Sequence, residues 1–307
     1  MDNKNFTKIK FNLNKLFLIP AVLFNFYAGC TDNSIDQPSP PVAEYTQIDF
    51  EPAWNTSGNK IAYAHSNIDN DLSGIYVTSS SGLSSTQLVT NFARSPEWSP
   101  DGTQILYSQF FQIYKINTAG DSAVQLTNGG ENYYPKWSSD GSLIAFSRYE
   151  GSAYNIFTMN SDGKQITEID DNANFPEWEN NSNSILYFKP FYNKDHLQKG
   201  DTLFQYILNS GAKNLLTILN GDVHNVNMYP VYTGDEIVFS SLDKDGYSYI
   251  YKMQHDGSNI VKLTDTQGYS PAYSFAAQKI IYTNRNKGNG RLWTMDKNGN
   301  NKTQLTH

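Results

Sequence analysis

Cysteine is nearly absent from this chain of 307 residues. Cys30 stands alone, so no disulfide can tie the fold from within. Charge is sparse as well. Asp, Glu, Lys and Arg make up 17% of the residues, the net charge is −7, and no block of five like charges occurs, which excludes nucleic acid as a partner. No Gly-x-Ser-x-Gly elbow is present to mark a serine hydrolase. The five histidines, His65, His196, His224, His255 and His307, include no pair at metal-ligand spacing on one strand or helix. Long apolar runs are missing too. The run from Leu16 to Phe24 is far short of the roughly 20 residues that cross a bilayer, but it suits the centre of a signal peptide behind Lys4, Lys8, Lys10 and Lys15.

Aromatic residues, by contrast, reach 14%, with frequent Gly, Asn and Ser, as expected of many short strands joined by tight turns. Self-similarity orders them. A Pro-x-aromatic step occurs six times, as Pro52-Ala53-Trp54, Pro96-Glu97-Trp98, Pro135-Lys136-Trp137, Pro176-Glu177-Trp178, Pro230-Val231-Tyr232 and Pro271-Ala272-Tyr273. Each is followed by a turn such as Ser99-Pro100-Asp101-Gly102 and an apolar strand such as Ile105-Leu106-Tyr107-Ser108. A third strand (Ile113-Tyr114-Lys115, Ile156-Phe157-Thr158-Met159) and a closing strand ending Leu-Thr (Leu126-Thr127, Leu263-Thr264, Leu305-Thr306) complete the unit. Four strands with a period near 40 residues make one propeller blade, which must bury both faces against its neighbours. The expected fold is all-β, a six-bladed propeller of four-stranded antiparallel blades. The last closing strand ends one residue before the last residue given, so no downstream domain is expected.

These motifs resemble those of the TolB-type propellers, a WD-like repeat family whose blades read approximately Pro-x-Trp-Ser-Pro-Asp-Gly, an apolar strand ending in Ser, Ile-Tyr-x-Met and Leu-Thr. Residues 96–102 reproduce the first motif in full, and the similarity spans about 250 residues. The resemblance implies a bacterial envelope protein, periplasm-facing or on the outer surface, whose propeller docks an envelope protein, a peptide or a glycan without catalysis or cofactor. Ala28 and Gly29 before Cys30 resemble a lipobox, implying lipidation of Cys30. The expected organisation is a lipoprotein-type signal peptide over 1–29, a Pro- and Asp-bearing tether over 30–46 and the propeller over 47–307. The membrane is reached only through the N-terminal lipid, and the protein is expected to be a monomer.

Departures from the repeat point to the binding surface, since blades need regularity only for packing. Two long connections occur, residues 188–201 in the fourth copy and 219–229 before the fifth, and an up-and-down blade places both on one face. Phe191, Tyr192, His196, His224, Met228 and Tyr229 are the expected partner patch. Arg94, Tyr133, Tyr134, Phe175 and Tyr269, just before the repeat prolines, are expected around the channel mouth. Glu97, Lys136 and Glu177 should pair across consecutive blades. Asp69 and Asp71, with Asp243 and Asp245, have acidic spacing that could hold calcium, although Ser80 stands where an EF-hand has its bidentate Glu. The competing readings are carbohydrate binding and a metal-dependent lyase of oligogalacturonate, as some related propellers are, with His65, His196 and His224 as its ligands.

Overall fold

In a computed structural model, residues 47–67, 72–192, 198–220, 226–243, 245–286 and 289–307 are described. They form 24 strands and no helix, each sequence copy supplying four strands. Unit one, for example, comprises Gln47–Trp54, Lys60–Asn67, Gly74–Ser79 and Ser85–Thr90, each antiparallel to the next. Units two to five are separate four-stranded sheets of the same order. Where six separate sheets were expected, units one and six are merged into one of eight strands. A single parallel bridge joins them, Ile48 to Gly290, and Gly290 permits it: a Cβ there would sit 2.4 Å from Cγ1 of Ile48.

The repeated residues explain the units. Ser99 of the Asp-Gly turn donates to Asp101 (2.6 Å) and accepts from the Gln104 amide (2.9 Å), while Gly102 takes the left-handed conformation at φ 71°. Ser138 and Asp140 do the same in unit three. Aromatic pairs stack between the second and third strands of five units, among them Tyr63 on Tyr76, Tyr107 on Tyr114 and Phe146 on Phe157. The closing Thr has its own task. The hydroxyls of Thr127, Thr264 and Thr306 each accept a third-strand amide 14 residues earlier, from Ile113, Ile250 and Leu292.

Apolar clusters lie at every junction of consecutive units, and the tryptophans belong to them. Trp98 packs between units one and two, Trp137 between two and three, Trp178 between three and four. The last cluster joins Ile281, Leu292 and Leu305 of unit six to Ile61 and Tyr63 of unit one. Each unit thus buries both faces against its neighbours, as a blade must.

The antiparallel order defines two faces. The first-to-second turns and the third-to-fourth turns lie on one, the turn face. The second-to-third connections, the links between units and the start of the first strand at Gln47 lie on the other, the link face.

Candidate functional site

Each innermost strand is interrupted once, at the same place. The residue before each repeat proline, Glu51, Ser95, Tyr134, Phe175, Tyr229 and Ser270, has φ between 47° and 59°, and a bulge in the register accompanies every one. Proline suits the following position because the interrupted ladder needs no N–H there. Left-handed backbone at a residue with a side chain costs roughly 1 kcal/mol or more, so the fold concentrates strain on its axis. These six residues and their prolines, with Lys136 and Val231, line a cavity of about 40 Å³. That is room for a few water molecules and not for an organic ligand.

The axis is filled by two groups. Glu51, itself buried, accepts from Nη2 of Arg94 (2.8 Å), Nε of Arg94 (3.4 Å), the amide and hydroxyl of Ser95 (2.8 and 3.0 Å) and the hydroxyl of Tyr229 (3.1 Å). Burial alone would lower the Arg94 guanidinium, but the Glu51 carboxylate more than offsets it and holds the pKa above its ordinary value. Beside this pair the rings of Tyr134, Phe175 and Tyr229 meet at 4.6 to 5.5 Å. Burial raises the pKa of both tyrosines, so each stays a neutral phenol.

One step along the same strands, Lys136 lies between Glu97 (3.1 Å) and Glu177 (3.2 Å), the expected pairing. Burial would lower the ammonium, and the two carboxylates raise it above its usual value. Burial also pushes the Glu177 carboxyl up to about 7 against the pull of Lys136. Ala53, Val231 and Ala272 hold the equivalent positions in the other three units, so charge occupies one half of the ring.

Of the residues expected at the channel mouth, Tyr134 and Phe175 line the axis and Arg94 reaches it through Glu51. Tyr133 instead packs edge-on to Phe111 and Tyr154. Tyr269 carries the Arg285 guanidinium over its ring at 4.5 Å. Both precede the proline by two residues, and the left-handed bulge turns only the immediately preceding residue inward. Tyr229 therefore belongs to the axis with Glu51, while Met228 is buried at 5% exposure. Phe191 and Tyr192 lie together at the end of the extended second strand of unit four, Ser184–Tyr192, where Tyr192 is 44% exposed. Glu51, Ser95 and Ser270 were not anticipated. Their signal was available as the position immediately before each proline.

Cys30, His196, His224, Asp69 and Asp71 lie outside the described residues. His65 lies 2.6 Å from Asp49 through Nδ1. Asp243 accepts the amides of Asp245 and Tyr247 (2.9 Å each) and so shapes its own turn. No group of three His, Cys, Asp or Glu placed to hold a metal occurs among the described residues.

This geometry defines a β-propeller of four-stranded antiparallel blades with a packed axis. The chain belongs to the TolB beta propeller domain family, whose model matches residues 37–203. It is similar to a TolB candidate from Agrobacterium tumefaciens (22% identity, 72% of this chain and 84% of that one, TM-score 0.61) and to TolB from Acinetobacter baumannii (17%, 82% and 65%, TM-score 0.69). The β-propeller domain of the Trilobed protease from Pyrococcus furiosus, described as having an open velcro topology, shares the fold at 13% identity over 86% of this chain and 84% of that one, with a TM-score of 0.55. An uncharacterized protein of Agrobacterium fabrum is 33% identical over 86 residues. The match covers 26% of this chain and 29% of that curated relative.

Proposed function

We infer that this protein is a non-catalytic docking module of the bacterial cell envelope, a lipoprotein anchored through Cys30, with residues 30–46 as tether and 47–307 as propeller. The merged sheet is read as two blades spliced at Ile48, giving a closed ring of six, since apolar clusters occupy all six junctions. The partner is an envelope protein, peptide or glycan held on the link face. One observation carries this reading. The strands of unit four, Ser184–Tyr192, Gln198–Ile207 and Ala212–Asn220, run to nine, ten and nine residues, and the first of them ends in Phe191 and the exposed Tyr192. Strands lengthened by about three residues extend a hairpin by about 10 Å. Aromatics at such a tip have little to gain from solvent and much from a partner.

Crosslinking pull-down from native envelopes tests it, comparing wild type with Phe191→Ala plus Tyr192→Ala. Loss of a specific partner in the double variant is the expected result. An unchanged set of captured partners would move the docking surface elsewhere.

A further inference from the structure

Exposed aromatic side chains are distributed unevenly. Among the described residues there are six, and five of them, Phe92, Phe110, Phe111, Tyr192 and Tyr247, are on the link face. Three cluster in the first third of the ring. Phe110 and Phe111 form the two-residue connection between the second and third strands of unit two, and Phe92 lies in the link from unit one to unit two. Gln109 ties the two segments together by donating to the carbonyl oxygens of Thr90 (2.7 Å) and Asn91 (2.6 Å). Leu72, 49% exposed, adds an apolar chain at the corresponding connection of unit one.

These residues are placed against local preference. Phe110 and Phe111 both have positive φ, 49° and 64°, the pattern of a type I′ hairpin for which Asn-Gly is the favoured pair. Phe92, at φ 46°, holds the place that Asn172 holds, at φ 44°, in the link from unit three to unit four. Folding alone favours Asn or Gly at all three sites. Instead the chain carries phenylalanines there and leaves Phe110 67% exposed and Phe92 54% exposed. Residues 90–92 and 109–112 contain no charge.

We propose that the tips Phe92, Phe110 and Phe111 insert into the interfacial region of a lipid bilayer and hold the propeller link-face down at units one and two. The orientation rests on the Cys30 anchor inferred above. The chain enters the propeller at Gln47 on this same face, in the unit beside the tips. The preceding residues 30–46 span at most about 60 Å when fully extended, so the anchor holds the propeller within reach of the membrane and the chain enters it on the face that carries the tips. Uncharged Gln and Asn around aromatic chains match the polarity of the headgroup boundary, where Phe and Leu enter and charges do not. Units four and five would then stand away from the bilayer, leaving Tyr192 free for a partner.

The test uses the full chain isolated from membranes and reconstituted in neutral phosphatidylcholine vesicles. An environment-sensitive fluorophore is placed at Phe110→Cys on the link face and, separately, at Asn298→Cys on the turn face. Quenching by brominated acyl chains at position 110 and none at 298 is expected. Phe92→Ser in the labelled protein should cut that quenching severalfold. Phe110→Asn with Phe111→Gly should keep the fold and, in a Cys30→Ser protein without acyl chains, lower vesicle partitioning roughly tenfold or more. Equal absence of quenching at both positions overturns the proposal. Protection of position 110 only when envelope proteins are added also overturns it, in favour of a protein partner. Acyl mass and detergent partitioning report the anchor separately: quenching at 110 in a protein without acyl chains would sustain the tips and remove the anchor.

Discussion

The left-handed residues divide into two kinds by what they gain. At the axis, Tyr134, Phe175 and Tyr229 recover the backbone cost by packing their rings together. Phe110 and Phe111 recover little, since only Phe111 finds a ring, that of Tyr133 at 6.1 Å. Replacing them with Asn-Gly should therefore stabilise the protein by about 1 kcal/mol, measured as a higher urea midpoint. Destabilisation would mean that the pair serves the fold. Glu51 has the opposite balance. Glu51→Ala leaves the half-buried Arg94 guanidinium without a carboxylate and should cost about 2 to 3 kcal/mol in denaturant unfolding. Glu177 supplies a pH signature. Its native carboxyl, raised to about 7, binds a proton that the unfolded chain releases near 4.5, so its contribution is fully present below 4.5 and is lost as pH rises through 7. The melting temperature should fall across that window, and Glu177→Gln should flatten the slope.

At the scale of the element, the four-stranded unit tolerates degenerate sequence because its turns need hydrogen bonds rather than particular residues. Unit four replaces Ser-Pro-Asp-Gly with Glu179-Asn180-Asn181-Ser182, yet Ser184 donates to Glu179, and the Asn183 amide donates to Asn181 (2.9 Å). Glu179 further accepts from Gln205 (2.7 Å) and pairs with His255 of unit five. Motifs in the sequence thus located every unit, including those whose turns had drifted. The lengthened strands of unit four were legible only as an insertion, because continued pairing from Lys189 and Thr202 out to Tyr192 and Gln198 is a matter of cross-strand contact. Shortening that hairpin by removing Phe191, Tyr192, Gln198 and Lys199 should abolish partner capture and leave the melting temperature within a few degrees of wild type, since the excised pairs lie beyond the apolar clusters.

For the whole molecule the decisive contact is closure between the two ends of the propeller. Thr306 accepts the Leu292 amide like its counterparts, but its hydroxyl also donates to Asp49 (2.6 Å), 257 residues earlier. Arg291 reaches Gln47 (3.1 Å) at the same seam. Thr264 accepts the equivalent amide without that second bond. Thr306→Val should therefore cost about 1 kcal/mol more than Thr264→Val, and the excess should vanish in a protein already carrying Asp49→Ala, which has no side-chain acceptor. Equal costs would show that the seam adds nothing to closure.

The sequence by itself determined the strands, the turns, the unit length and the number of copies, because these rest on local backbone preference and on alternation of apolar residues. It also paired Lys136 with its two glutamates, since the repeat assigns equivalent residues equivalent places. Only the tertiary structure decided that the residue before each proline turns inward in left-handed backbone. That choice moved Tyr229 from the expected surface patch to a hydrogen bond with Glu51 across 178 residues. It likewise decided which aromatics remain outside, because exposure depends on neighbours brought from other units, and Phe110 reads in the sequence like any other strand-end aromatic.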